Sequence, residues 1–202
     1  MKKTLKASEQ EREDVKKARA EWIKFQNITP VEHLVFIDET GLKTNMTRLY
    51  GRALKNSRCY DSAPDGRWER QTLLSSIREN GATESIVFDG ALDRKMFDEY
   101  IIRFLAPTLR AGDIVIMDNL NVHKSEKARD AITQMGATVI FLPPYSPDLN
   151  PIEKMWSKIK QILRGFKARN IEALSEGVKM ALEMVTKNDA FGWFTSCGYI
   201  KS

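Results

Sequence analysis

The chain has 202 residues, of which 42% are hydrophobic and 29% charged, so it is long and apolar enough to bury a core. This composition excludes a chain that is disordered throughout, and no apolar run approaches the length of a membrane span. The net charge of +5 permits a polyanionic partner without requiring one.

The cysteines and the first residues indicate where the protein works. Cys59 and Cys197 lie far apart and lack the CxxC spacing, which fits ordinary thiols in a reducing cytosol. The opening MKK is followed by the charged stretch TLKASEQEREDVKK, where a signal peptide would be apolar. These features predict a cytoplasmic protein with no membrane partner.

The first predicted element is a charged helix from Ser8 to Gln26. Ser8 and Glu11 have the spacing of a capping box. A thin apolar stripe recurs at helical intervals and consists of Val15, Ala18, Trp22 and Ile23. The high charge and the thin stripe predict a peripheral helical arm or linker over residues 1–30.

Strands follow the arm. The run HLVFID, which ends at Asp38, predicts a strand covered on both faces. Residues 39–70 are rich in Gly, Asn, Arg and Ser and are expected to form loops and an edge hairpin. The runs QTLLSSI and ESIVFDG predict two further strands on either side of the turn signal Asn80-Gly81.

The second half of the chain alternates helices with strands. The first of these elements is a helix over 93–109, with an apolar side formed by Met96, Phe97, Tyr100, Ile101 and Phe104. The pattern then predicts, in order, a strand over 113–119, a helix over 125–135 and a strand over 137–142. Three helices complete the chain, one from residue 151, one over 170–187 and one over 189–199. Three early strands followed by this alternation predict an α/β fold, with a mixed sheet flanked by helices.

Three acidic residues occupy positions from which they could together bind a ligand. Asp38 and Asp118 each follow an apolar strand, and ligands of open α/β sheets collect beyond the carboxyl ends of strands. Either aspartate alone is more often a turn or helix-cap residue. Glu153 follows a loop whose backbone is restricted by four prolines, so its helix is rigidly aimed. Clustered carboxylates need a cation, and oxygen ligands favour Mg²⁺ or Mn²⁺, ions that support in-line displacement at phosphorus.

The helix that begins at Pro151 continues from this glutamate into a line of cations. Residues 151–169 include six basic residues and one acid, and Glu153 stands in line with Lys160 and Arg164 beside the apolar stripe. Because Lys and Arg attract phosphates regardless of sequence, this face fits a phosphodiester backbone. A solvated basic face with a first-turn acid is the alternative.

The segments VFIDETG, IVIMDNLNVHKS and FLPPYSPDLNPIEKMW together resemble the catalytic domain of DDE transposases of the mariner-like superfamily, in its bacterial insertion-sequence branch. The likeness covers roughly residues 31–165, and the 34 residues between Asp118 and Glu153 are a spacing typical of that superfamily. It implies a ribonuclease-H-like fold in which Asp38, Asp118 and Glu153 are catalytic and hold two Mg²⁺ or Mn²⁺ ions. It also implies DNA cleavage at terminal inverted repeats and transfer of the freed 3′-hydroxyl into target DNA at TA.

The resemblance gives other residues supporting roles. Asn119 is expected to orient Asp118 or a water molecule, and His123 to meet a phosphate or support the acids. A helix cap for Asn119 and a packed, neutral ring for His123 are the alternatives. Glu39 is expected to be a solvent-facing neighbour of Asp38. The predicted DNA-binding residues are Lys154, Lys158, Lys160, Arg164, Lys167 and Arg52.

Partners and domain divisions follow from the same resemblance. Full-length relatives carry helix-turn-helix modules ahead of the catalytic domain, so an upstream half that recognises the DNA ends and a homodimer or larger assembly on DNA are expected, in a bacterial, nucleoid-associated setting. The predicted division is an arm over 1–30, a catalytic domain over 31–169 and C-terminal helices over 170–202 packed on that domain. The alternatives are another ribonuclease-H-like nuclease of the resolvase type, and a decayed or repurposed DNA-binding protein without catalysis.

Overall fold

Five strands form one mixed sheet in the computed structural model, which describes residues 8–48, 50–62 and 67–200. The strands are β1 (Leu34–Lys43), β2 (Arg70–Ile77), β3 (Ser85–Asp89), β4 (Ile114–Met117) and β5 (Thr138–Phe141). Their order across the sheet is β3-β2-β1-β4-β5. β2 is antiparallel to β1 and β3, whereas β4 runs parallel to β1 and β5. The predicted mixed sheet is confirmed.

Helices cover both faces of the sheet. They are α1 (Glu13–Ile28), α2 (Arg94–Tyr100), α3 (Glu126–Gln134), α4 (Pro151–Phe166), α5 (Ile171–Glu183) and α6 (Lys187–Ser196). The predicted capping box at Ser8 is wrong, because a separate 3₁₀ turn precedes α1 and the Ser8 hydroxyl donates to Glu9.

The helix expected over residues 93–109 changes character part of the way along. α2 continues into a π-helical turn, Ile101–Leu105, and then a 3₁₀ turn. A π turn inserts an extra residue, which shifts the faces of the side chains that follow it. Phe104, predicted to lie in the apolar stripe, is therefore 44% exposed, whereas Leu105 is buried.

β1 is longer than its apolar run predicts. It continues past Asp38 to Lys43, because every residue from Phe36 to Lys43 pairs with β2. Asp38 thus lies within a strand and not at its end, and the described residues of 44–69 contain no strand of the expected hairpin. β4 ends at Met117 after pairing through Phe36↔Ile116, so continuing this register places Asp118 beside Asp38.

The sheet separates two hydrophobic clusters. Phe36 on β1 belongs to the cluster that contains residues of α1, α4, α5 and α6, whereas Ile37 belongs to the cluster with α2 and α3. Successive side chains of a strand point to opposite faces. Asp38 therefore continues the series toward α4, and Glu39 continues the series toward α2.

The two ends of the described chain meet beneath the proline loop. The Trp22 indole of α1 donates to the Tyr199 hydroxyl at 2.8 Å, and that hydroxyl donates to the carbonyl of Leu149 at 2.8 Å. Residues 1–7 and 201–202 lie outside the described residues, and the division into domains stays a prediction. Of the helices described, none is long and apolar enough to cross a membrane. Cys59 and Cys197 are both free thiols.

Candidate active site

Three elements deliver one acid each to a single cavity of about 470 Å³. Asp38 comes from the middle of β1, Asp118 from the residue after β4, and Glu153 from the first turn of α4. The proline-rich segment 142–147 forms another wall of the cavity. The structure thus brings together the three acids that the sequence singles out, and their catalytic role stays a prediction.

Asp38 is held from three directions. The backbone N–H of Glu39 donates to its Oδ1 at 2.9 Å, and the Trp156 indole and the Asn150 amide each donate to its Oδ2 at 3.4 Å. Trp156 lies in the core, as expected, and its polar edge reaches the acid. Asn150 was missed by sequence reasoning, although its place immediately before Pro151 marks it as the N-cap of α4.

The carboxylates repel one another. Burial, together with repulsion from Glu153, Glu39 and Asp118, raises the pKa of Asp38 to about 7. Partial burial in the cleft raises the pKa of Glu153, Lys160 opposes this shift and Asp118 adds to it. A divalent cation would relieve this repulsion, and carboxylate oxygens are the ligands that Mg²⁺ and Mn²⁺ prefer. Within the described ranges, no group of three or more His, Cys, Asp and Glu side chains is arranged to hold a metal ion as it stands.

Asp118 is connected to Glu39 through a buried histidine. The Nδ1 atom of His123 lies 2.6 Å from Asp118 Oδ1, and its Nε2 atom lies 3.2 Å from Glu39 Oε2. Burial disfavours the charged ring, but the hydrogen bonds to Asp118 and then Glu39 outweigh it and raise the pKa of His123 to about 9. The contacts of both ring nitrogens with carboxylates therefore contradict a merely packed His123 and a solvent-facing Glu39.

Asn119 does not have the environment of a helix cap, which was one of the two roles expected for it. Its exposed side chain lines the cavity that holds the three acids. The backbone N–H of Leu120 donates to Asp118 Oδ1 at 3.2 Å, and the Nδ1 atom of His123 reaches the same oxygen. Asn119 is therefore placed to meet a bound molecule, and its orienting role toward Asp118 stays a prediction.

Helix α1 pins the proline loop. The Arg19 guanidinium donates to Ser146 Oγ at 2.7 Å and to both oxygens of Asp148 at 3.0 and 2.7 Å. The Gln10 amide donates to the carbonyl of Tyr145 at 2.5 Å. Tyr145 has a φ of 55°, a left-handed conformation that costs free energy for a residue other than glycine. The prolines made the rigidity of this loop predictable, whereas its contacts with α1 were not.

Two of the predicted DNA-binding residues of α4 lie on the cavity side. Burial lowers the pKa of Lys160, Glu153 and Asp38 oppose this shift, and Arg164 adds to it, so Lys160 lies next to the acids. Arg164 lines a second cavity of about 670 Å³, together with Gln161 and three residues of the β1–β2 connection, Arg48, Tyr50 and Arg52. The guanidinium of Arg48 packs against Gly165 of α4, where a Cβ atom would lie 2.8 Å from Nη2.

The remaining three cations are placed elsewhere. The Lys158 ammonium donates to Asp189 of α6 and, at 2.8 Å, to the carbonyl of Met184. The Lys167 ammonium lies 2.7 Å from each oxygen of Asp61. Lys154 lies close enough to Cys197 to oppose the effect of burial, which raises the pKa of that thiol to about 11. With Lys154, Lys158 and Lys167 placed elsewhere, Lys160 and Arg164 are the two predicted DNA-binding residues of α4 that remain on the side of the acids.

A mixed sheet that delivers three carboxylates to one cavity beside a basic helix is the arrangement expected of metal-dependent phosphoryl transfer. The family model of the DDE superfamily endonucleases matches residues 33–175, and the chain belongs to this family. Among curated proteins, the transposase of transposable element Tcb1 from Caenorhabditis briggsae is 29% identical over 85 residues, which cover 40% of this chain and 31% of the relative. The Tcb2 transposase of the same organism is 27% identical over 86 residues, 41% of this chain and 32% of the relative. The matched segment thus spans about a third of these relatives.

Solved structures show the same fold. The catalytic domain of the Mos1 mariner transposase matches with a TM-score of 0.66 at 12% identity, covering 98% of this chain and 93% of that one. A Mos1 paired-end complex with the left transposon end matches with a TM-score of 0.78 at 14% identity, covering 98% of this chain and 63% of that one. The predicted ribonuclease-H-like fold and the resemblance to mariner-like transposases are confirmed, and the bacterial branch stays a prediction.

Proposed function

We propose that the chain is the catalytic domain of a transposase that cuts DNA at the ends of a mobile element and joins the freed 3′ end to target DNA. The observation that carries the proposal is the convergence of Asp38, Asp118 and Glu153, from three separate elements, on one cavity next to a basic helix. The Tcb1 and Tcb2 relatives are transposases by name, and one Mos1 structure of the same fold is a strand transfer complex.

The three acids are proposed to hold two Mg²⁺ or Mn²⁺ ions, since Mos1 neighbours were solved with Mg and with Mn. Hard oxygen donors and carboxylates whose pKa values are raised by burial and mutual repulsion fit such ions. Ions held by these three acids would supply activation of the attacking oxygen and charge neutralisation at the leaving oxygen.

The side chains around the acids have separable tasks. Asn150 and Trp156 hold Asp38, and His123 holds Asp118, so that each carboxylate faces the cavity. In both proposed steps an oxygen nucleophile, water for cutting and the 3′-hydroxyl for joining, bonds to phosphorus as the bond to the leaving 3′-oxygen breaks. The nucleophile releases its proton and the leaving oxygen takes one up. The ammonium of Lys160 balances the charge of the phosphate beside the acids.

The DNA is proposed to leave the acid cavity along α4. Lys160, Arg164 and Arg52 supply positive charge there, and Arg48 joins them at the second cavity. Recognition of terminal inverted repeats is proposed for an upstream helix-turn-helix half, with TA as the target and a homodimer or larger assembly pairing two ends. The paired-end complexes of Mos1 support such an assembly.

The test is an assay on DNA without defined ends, because end recognition is proposed to lie upstream. The chain is incubated with supercoiled plasmid, a labelled duplex carrying a free 3′-hydroxyl, and Mn²⁺. Nicking of the plasmid and covalent joining of the label are expected, and both should fall more than about 100-fold in Asp118→Ala. Activity that persists in this variant contradicts the proposal. Cutting without joining favours the resolvase-type nuclease, and DNA binding without either reaction favours the non-catalytic alternative.

A further inference from the structure

Glu39 has a partner that its position next to Asp38 does not suggest. Strand alternation sends its side chain to the face of the sheet opposite Asp38, and Glu39 is not among the described residues that line the acid cavity. On that face its Oε2 atom lies 3.2 Å from His123 Nε2, and the other ring nitrogen lies 2.6 Å from Asp118 Oδ1. Three side chains thus form a continuous chain from the far face of the sheet to one of the acids.

We propose that Glu39 is a positioning residue for the DNA chemistry: it fixes the His123 ring, and the ring in turn holds the Asp118 carboxylate toward Asp38 and Glu153. The inference rests on the proposed function and extends it, because it assigns a role to a residue outside the three acids. Carboxylate–histidine pairs behind metal ligands generally set the orientation of the ligand.

Asp118 needs such support because the sheet no longer holds it. β4 ends at Met117, and the Asp118 side chain is 39% exposed. The His123 side chain, by contrast, is fully buried and its ring packs on Phe97 with the centroids 4.8 Å apart. A ring enclosed in this way needs a partner for each nitrogen, and Glu39 supplies the second one. Without Glu39, the ring would lose one of its two anchors and Asp118 would lose a fixed neighbour.

The competing explanation is a purely structural tie between β1 and the segment after β4. Removing such a tie would lower the stability of the metal-free protein without changing how the acids bind a cation. A positioning role predicts weaker binding of a divalent ion even when the protein remains folded. The two explanations therefore differ in a property that can be measured without DNA.

The experiment compares Mn²⁺ binding, followed by isothermal titration calorimetry of the whole chain, in Glu39→Ala, Glu39→Gln and the control Glu32→Ala. Glu32 is an exposed glutamate just ahead of the same strand. Glu39→Ala should weaken Mn²⁺ binding about 10-fold and raise the Mn²⁺ concentration needed for half-maximal nicking by a similar factor. Glu39→Gln should restore most of the binding, because its amide oxygen can accept from the same ring nitrogen, and Glu32→Ala should match the wild type.

Wild-type Mn²⁺ affinity in Glu39→Ala overturns the positioning role, and so does a Glu39→Gln variant that binds as weakly as Glu39→Ala. Thermal melting without metal checks folding. If Glu39→Ala is unfolded at the assay temperature, Glu39→Asp takes its place, since this change withdraws the carboxylate by one methylene. Glu39→Asp should bind Mn²⁺ more weakly than the wild type, and equal binding overturns the positioning role. If the wild-type chain itself binds no Mn²⁺ and cuts no DNA, the proposed function fails and this inference fails with it.

Discussion

At the scale of single residues, Asp38 shows that the fold accepts a cost at its acid cavity. The side chain is partly buried, two other acids line the same cavity, and its pKa rises to about 7 because of burial and repulsion. Hydrogen bonds from Asn150, Trp156 and the Glu39 backbone hold it in place in spite of this repulsion. A carboxylate kept in this state is poised to take a cation.

Asp38→Asn should make the metal-free protein more stable and abolish DNA cleavage. The folded pKa lies above the usual value, so the folded state binds the proton more tightly and wild-type stability falls as pH rises from about 4 to about 7. In chemical denaturation with EDTA at pH 8, the variant should gain on the order of 1 to 3 kcal/mol, and less at pH 5. Asp130→Asn, at an exposed position on α3, is the control, and equal stabilities of Asp38→Asn and wild type at pH 8 would contradict the prediction.

The three acids could be predicted from the sequence, whereas Glu39 could not. Asp38 and Asp118 follow conspicuous apolar runs, and Glu153 follows a proline-rich loop. Glu39 acquires its role from His123, which lies 84 positions away. The three residues after Asp38 are polar or glycine, so the strand that turns Glu39 to the opposite face is not visible in the apolar pattern.

At the scale of elements, the proline loop owes its position to two sources. Prolines restrict its backbone, and α1 holds it through Arg19 and Gln10. The loop forms one wall of the acid cavity and leads into α4, which carries Glu153. Any movement of α1 relative to the sheet would therefore be transmitted through the loop to the wall of the cavity.

Arg19→Ala should loosen the loop without unfolding the protein. The ion pair with Asp148 is partly exposed, so the loss of global stability should be about 1 kcal/mol or less. Hydrogen exchange of the amides in 145–150 should become faster, and DNA nicking should become slower. Lys16→Ala removes two exposed ion pairs at the start of the same helix and should change neither property. Unchanged exchange in the loop would show that the prolines suffice.

The basic residues of α4 should separate into two groups. Arg164→Ala should weaken binding to nonspecific duplex DNA and reduce the slope of log affinity against log salt by about 1, with stability unchanged. Lys158→Ala should leave DNA affinity unchanged and lower the free energy of unfolding by about 1 kcal/mol, because it cuts the link to Asp189. Filter binding over a salt series and urea unfolding measure the two effects. The reverse result would return Lys158 to the DNA surface.

Helices were easier to locate than strand ends. The apolar stripe of α4 appears in the sequence at the spacing that a helix requires, and Pro151 marks its first turn. The end of β1 was missed because pairing with β2, and not hydrophobicity, carries the strand on to Lys43. The π-helical turn after α2 was likewise invisible, since it depends on how the helix packs.

At the scale of the whole molecule, one buried ion pair joins the sheet to the segment ahead of β4. Arg78, immediately after β2, donates to both oxygens of Asp113, which is 1% exposed. Burial opposes ionisation of Asp113, yet the bonds from Arg78 and from the Arg110 backbone outweigh it and lower its pKa. The pair fixes the antiparallel half of the sheet to the parallel half.

Arg78→Ala should destabilise the fold by about 3 to 5 kcal/mol at pH 7, because it leaves a buried carboxylate without its cation. Since the folded pKa of Asp113 is lowered, the stabilisation is present above about pH 4 and is lost as pH falls through the folded value. Urea unfolding at pH 7 and pH 3 should therefore show a large difference between variant and wild type at pH 7 and a smaller one at pH 3. The exposed pair of Arg103 with Glu99 provides the control, Arg103→Ala, and a pH-independent difference for Arg78→Ala would contradict this account.

The class of the fold followed from the alternation of apolar runs, but the strand order did not. Each run predicts a strand without naming its neighbour, and β1 has an antiparallel partner on one side and a parallel partner on the other. The ribonuclease-H-like fold was expected only from the resemblance of three motifs, and no strand order was predicted. Contacts between distant segments, such as Trp22 with Tyr199, depend on that order and were out of reach of local patterns.

The alternation of β1 also has a consequence for how faithfully the chain must fold. Its apolar residues fill both faces of the sheet. A shift of the strand register by one position therefore replaces one apolar side chain with another, and hydrophobic burial does little to prevent the shift. The same shift turns the Asp38 side chain away from the acid cavity, to the opposite face of the sheet. A molecule with this error would still bury apolar side chains on both faces of the sheet, yet its acids would no longer meet, so catalytic output would report directly on strand alignment.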